Sequence, residues 1–173
     1  MKNYLFVLFL SIYSISAVSQ TKNSTFPEAG FIADFPTSTI PETTKSEMKY
    51  GNIETTAYSY EGEEFLIILS ENIYPANLIF KLKEKGTDGL LDGSRNGAIK
   101  NLELQTGEKI VLTFDEKFMH DNKYPAIKFG GSSSDAQMES LCILKDNHFF
   151  ILMTIGNSES PEVVKFMKSF KIL

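Results

Sequence analysis

From Ala29 onward the apolar residues come in short runs separated by turn-forming ones, the pattern of strands joined by hairpins. In the stretch AGFIADFPTSTIPET (29–43), Phe31 to Phe35 alternates loosely and stops at Pro36. Phe31 and Phe35 are therefore expected to face inward from a strand, with Pro36 and Pro41 marking its exit. Met48 to Tyr50 is a further candidate strand, turning at Gly51-Asn52. Ile53 to Tyr60 (IETTAYSY) and Phe65 to Ser70 (FLIILS) flank Glu61-Gly62-Glu63-Glu64 and read as a hairpin. Asn101 to Thr106 (NLELQT) and Lys109 to Phe114 (KIVLTF) flank Gly107-Glu108 and read as another. Tyr124 to Gly131 is the next strand. Met138 to Leu144 (MESLCIL) and His148 to Gly156 (HFFILMTIG) then pair across Lys145-Asp146-Asn147.

Two segments lose the alternation and predict helices. In the first, Leu78, Ile79 and Leu82 fit a short helix ended by Gly86. Thr87 or Asp88 is positioned to cap a second helix that turns Leu90, Leu91 and Ile99 toward the sheet, although Gly89, Gly93 and Gly97 weaken it. Near the end of the chain, Ser160-Pro161-Glu162 is a helix start. Val163, Phe166, Met167 and Phe170 follow at i, i+3, i+4 and i+7, so their stripe faces the core. In His148–Gly156 both alternating sets are largely apolar, which means a strand covered on both faces. Strands that come in hairpins rather than β-α-β units predict a mostly antiparallel sheet. The expected fold is α+β, with helices on both faces of that sheet: an α/β/α sandwich.

The N-terminus departs from this pattern. Lys2 precedes the apolar run Tyr4 to Ile15, and Ala17-Val18-Ser19 supplies the small residues that a signal peptidase reads. Residues 1–19 are expected to be a signal peptide cleaved between Ser19 and Gln20; the alternative is a short membrane anchor left in place. The run is shorter than the about 20 apolar residues a spanning helix needs, so no stable membrane insertion is expected after signal removal. The absence of Cys at the cleavage point argues against a lipoprotein anchor. Residues 20–28 read as a flexible polar lead-in, and 29–173 as a single domain. This places the chain in the periplasm or outside the cell.

Composition narrows the function further. A hydrophobic content of 42% with 23% charged residues is that of an ordinary globular protein. The net charge of −5, with no run of Lys or Arg, argues against nucleic acid and anionic lipid as partners. Asn23-Ser24-Thr25 matches a glycosylation acceptor, but the Lys-, Asn- and Ile-rich composition looks bacterial, where that triplet carries no meaning. Cys142 is the only cysteine, so no internal disulfide can form.

Candidate chemistry is sparse. Cys142 with His120 or His148 is the one thiol–imidazole combination, and Leu141 and Ile143 beside Cys142 predict a buried, inert thiol. His148 opens a strand just after a turn, where an exposed or turn-capping role fits it. HDNKYP (120–125) gathers His120, Asp121 and Asn122 near Asp115 and Glu116, without the spacing of a zinc or calcium site; it reads as a polar hairpin tip. GGSSSD (130–135) is glycine-rich but lacks the Lys and helix start of a phosphate loop. No catalytic, cofactor-binding or metal residue is therefore assigned, and no cofactor is expected.

The element order resembles the PsbP-like fold, shared by the photosystem protein PsbP, Ran-binding Mog proteins and exported DcrB-type domains. The features that carry it are GFIADFP (30–36), the hairpin 53–70, the helical middle, the strand NLELQTG, the hairpin 138–156 and the terminal VVKFMKSFKIL (163–173). The resemblance implies the sandwich but no function, because the family's roles range from photosystem assembly to secretion chaperoning. The expectation is a monomeric, non-catalytic protein-binding or assembly domain, with a carrier of a small apolar ligand as the alternative.

Overall fold

A computed structural model describes residues 25–26, 29–48, 51–84, 86–134 and 136–173. The expected signal peptide, its cleavage point at Ser19–Gln20, and Asn23 lie outside the described residues, as does the side chain of Leu82. The elements in chain order are β1 (Thr25–Phe26), β2 (Phe31–Ile32), β3 (Glu42–Met48), β4 (Gly51–Glu61), β5 (Phe65–Ile73), α1 (Ala76–Glu84) and α2 (Thr87–Thr106). Then follow β6 (Val111–His120), β7 (Tyr124–Ser132), β8 (Gln137–Lys145), β9 (His148–Gly156), α3 (Pro161–Ser169) and β10 (Lys171–Ile172). Seven strands form one antiparallel sheet in the order β3-β4-β5-β9-β8-β7-β6, while β1, β2 and β10 form a small second sheet. The chain is therefore an α+β protein built on a large antiparallel sheet.

The alternation in β9 sorts its residues into two cores. Phe150 and Leu152 join a cluster with Phe31, Phe35, Ile67, Leu69, Ile143, Val163, Phe166 and Phe170. Phe149, with Ile151 and Met153 packed beside it, belongs to a second cluster with Ile79, Leu91, Leu102, Ile127, Phe129 and Cys142. Each fully buried Phe, Leu or Ile contributes about 1.5–3 kcal/mol of transfer free energy. Phe31 and Phe35 are buried as expected, although only Phe31–Ile32 is ladder-paired. Of the lead-in, Thr25–Phe26 pairs with β2, and Phe26 packs its ring 4.4 Å from that of Tyr58.

The segment 101–106 corrects the expected hairpin. NLELQT is not a strand but the last turns of α2, and Lys109–Phe114 has no partner there; the strand that follows is β6. The apparent alternation rests on Leu102 and Leu104 alone. Leu102 is buried with Leu91, one of a set at helical spacing that includes Ala98 and Ile99, whereas Leu104 is 59% exposed. Gly107 serves as a left-handed helix end, φ 73°, its N–H donating to the Glu103 carbonyl at 2.9 Å. At the other end Gly86 precedes the helix at φ 87°, so neither Thr87 nor Asp88 caps it; Asp88 sits in the first turn, where a carboxylate suits the helix dipole. A second correction concerns Gly51-Asn52. These residues are not a turn but the start of β4, paired with Met48 and Glu47 of the polar strand β3.

At α3, Ser160, Pro161 and Glu162 fall where expected, but the Ser160 hydroxyl donates to the Glu162 carboxylate instead of capping the backbone. That bond, helped by the helix backbone, holds the Glu162 carboxyl below its ordinary pKa. Val163, Phe166 and Phe170 are buried and Met167 is half-buried.

Candidate functional site

The residues singled out in the sequence do not converge. Cys142 is 1% exposed inside the second core cluster. Burial pushes its thiol up to about 12, against a weak opposing contact from the Ser140 hydroxyl at 3.9 Å. A thiol in that state is a poor nucleophile. In the folded protein, Cys142 should stay unmodified by a thiol reagent at pH 8 and react within minutes in denaturant, followed by intact mass; rapid native labelling would contradict its burial.

The HDNKYP stretch is a hairpin tip, as expected. Asp121 and Asn122 adopt φ of 51° and 55°, a left-handed geometry that short polar side chains tolerate, and they join β6 to β7. His120 turns away from solvent and lies 6.3 Å, ring to ring, from Phe170. Among the described residues, no three His, Cys, Asp or Glu side chains could hold a metal ion together. The glycines of GGSSSD have a packing role. A Cβ at Gly130 would collide with the Phe114 ring, and one at Gly131 would lie 2.6 Å from Ile110 Cγ2.

One ionisable pair was missed in the sequence. Ile67, Leu69 and Glu71 share a face of β5, so the carboxylate continues an apolar stripe and is only 6% exposed. A buried carboxylate needs a partner. It has one in His148, whose Nδ1 is 2.6 Å from Glu71 Oε1 and whose ring stacks on Phe150. The signal was a charge at an inward position; the partner, 77 residues away, could not be read. Burial, reinforced by the Glu71 charge, raises the Tyr58 phenol pKa. Beside the pair is a concavity of about 140 Å³ lined by Ala29, Gly30, Lys145, Asp146, Asn147 and His148. Lys145 is already engaged with the Leu173 carbonyl, and Asn147 with Tyr74. The pair therefore ties the start of β9 to the end of β5, which is a structural use of His148.

The largest unexplained feature is β6, one edge of the seven-stranded sheet. Its first nine residues are exposed and none of the ten enters either core cluster. Val111, Leu112, Phe114, Phe118 and Met119 leave between 36% and 62% of their surface open. The opposite edge, β3 (ETTKSEM), is polar and ion-paired through Lys45 and Glu54. Polar, charged edges prevent strand addition, whereas long apolar ones invite it. On the side facing α2, β6 is anchored by charge: Arg95 binds Asp115 and Asp92, and Lys117 Nζ lies 2.9 Å from Asp92 and 3.7 Å from Asp88. Those contacts raise the Lys117 pKa, chiefly through the hydrogen bond to Asp92. They hold the strand in place and leave its outer backbone edge open. Lys109–Phe114 is the part of this strand that the sequence shows; it runs on through DEKFMH to His120, where the HDNKYP tip begins. The signal for that continuation is Phe118-Met119, an apolar pair just before the tip. No protein-family model and no curated protein matches the chain.

Proposed function

We propose that this chain is an exported, non-catalytic protein-binding domain of PsbP-like α/β/α sandwich type, and that its binding element is the β6 edge. The observation that carries the reading is the contrast between the two sheet edges, one polar and one that exposes five large apolar side chains among its ten residues. Adding an extended segment to such an edge gives main-chain hydrogen bonds for affinity and side-chain contacts for selectivity. Export rests on the run Tyr4–Ile15 with Ala17-Val18-Ser19. The sandwich rests on α3 entering one core cluster and α1 and α2 the other. The family resemblance loses one of its carrying features, because NLELQTG is helical. The carrier alternative has less support: the concavity beside His148 and the one beside Phe114 and Met138, about 140 and 190 Å³, fall below the roughly 300–1,000 Å³ of ligand pockets.

A photo-crosslinking amino acid at position 118, in cells, should give a discrete product with another polypeptide, and the same group at position 47 of β3 should give none. Absence of a product from position 118 would overturn the reading. A stoichiometric mass excess in native mass spectrometry would favour the carrier instead.

A further inference from the structure

We infer that the strand received by β6 is the β6 of a second copy of this chain, paired antiparallel about a two-fold axis through Glu116. This rests on the reading of β6 as a binding edge, and replaces the expectation of a monomer.

From Phe114 to His120 the ladder with β7 runs without interruption, so side chains alternate strictly between the two faces. Asp115 and Lys117 point to the α2 side, where their ion pairs are; Phe114, Glu116 and Phe118 take the other side. Edge-to-edge antiparallel pairing about a two-fold requires each residue to meet one on the same face. An axis through Glu116 satisfies this and sets Phe114 of each copy opposite Phe118 of the other, and Asp115 opposite Lys117. The segment FDEKF is thus self-complementary: two aromatic pairs and two opposite-charge pairs form at once. Moving the axis to Asp115 sets that carboxylate against itself and Phe114 against Glu116. Moving it to Lys117 opposes two ammonium groups and sets Phe118 against Glu116. A slip of one residue sends the side chains to opposite faces. Only the Glu116 register uses the whole segment.

Its one unfavourable contact is Glu116 against itself. Lys128, directly across from Glu116 on β7, is ion-paired with Glu139 at 2.8 Å and its Nζ lies over the Phe114 ring at 5.6 Å, so it offsets that contact only in part. The bulge between Leu112 and Phe114 shifts the register and breaks the strict alternation on one side, so the self-complementary segment is short. A small interface of this kind gives a weak, concentration-dependent dimer, with Kd of about 1–100 μM.

Sedimentation equilibrium on the chain as isolated from cells tests this. A monomer–dimer equilibrium is expected. Phe118→Lys should weaken it about 30-fold or more, because it removes a buried aromatic from both copies. Glu116→Gln should tighten it about 2- to 5-fold by removing the like-charge contact on the axis. Mixing the native chain with Glu116→Lys should give more heterodimer than the statistical half. A monomer at every concentration, a dimer indifferent to Phe118→Lys, or weakening by Glu116→Gln would each overturn the inference. A monomer that still crosslinks another polypeptide from position 118 would remove this inference and leave the protein-binding reading. No crosslink of either kind would remove both.

Discussion

Phe166→Ala is expected to destabilise the domain by about 3–5 kcal/mol, the usual cost of emptying a buried phenylalanine site. Phe166 has no exposed surface, and its ring lies 5.0 Å from that of Phe35. Its cluster joins α3 to strands β2, β5, β8 and β9, so no single element can move in to fill the cavity. A domain of this size holds about 5–15 kcal/mol in all. Thermal unfolding followed by circular dichroism should therefore show Tm lower by about 6–20 °C. Val164→Ala, on the exposed side of the same helix, should change stability by less than about 0.5 kcal/mol. If α3 were a detachable arm, both variants would behave alike and deletion of residues 161–173 would leave a folded domain. The deletion is expected to unfold it instead. It removes Phe166, Phe170 and the β10 strand that pairs with β2, and Phe170 alone stacks near Phe31, Phe150 and His120.

The α3 stripe was legible because its spacing, its proline and its serine all point to one helix. The hairpins β4–β5 and β8–β9 were legible for a similar reason: turn residues separate two apolar runs of strand length. The end of α2, residues 101–106, was not. Gly93, Ser94, Asn96 and Gly97, which precede it in the helix, have low helix propensity, and the apolar set is too thin to carry the period past them. Packing of Leu91 and Leu102 against the sheet overrides that propensity, and Gly107 then ends the helix with the same residue type that would begin a hairpin. Strand β3 was hidden for a different reason. A polar edge strand buries little and carries no apolar alternation, so only its pairing partner reveals it. The candidate site was hardly legible at all. The composition of β6 is in the sequence, but its position at an edge is a property of strand order, which depends on pairings up to 91 residues apart, as in Phe65 with Gly156.

Gly156→Ala is the second large effect, and its sign is opposite to that of a glycine-to-alanine change in α2. Gly156 closes β9 at φ 96°, a left-handed backbone that alanine resists at a cost of about 1–2 kcal/mol. Space is lacking as well. An added Cβ would collide with the carbonyl oxygen of Glu64 and lie 3.1 Å from Phe65 Cα, both fixed backbone atoms. That carbonyl accepts the Asn157 N–H at 2.9 Å, so relieving the collision breaks a hydrogen bond worth about 1 kcal/mol and opens the last β5–β9 pair, Phe65 with Gly156. The total expected from urea denaturation is about 2–4 kcal/mol. At Gly93 the helix is regular and no atom lies within 4 Å of an added Cβ. Gly93→Ala should therefore stabilise by about 0.5–1 kcal/mol, through the lower entropy of the unfolded chain. The contrast tests the bend itself, because the bend after Gly156 aims residues 157–160 so that α3 can deliver Phe166 to the sheet. A neutral Gly156→Ala would mean that β9 leaves the sheet by another path, and the packing assigned to α3 would fall with it.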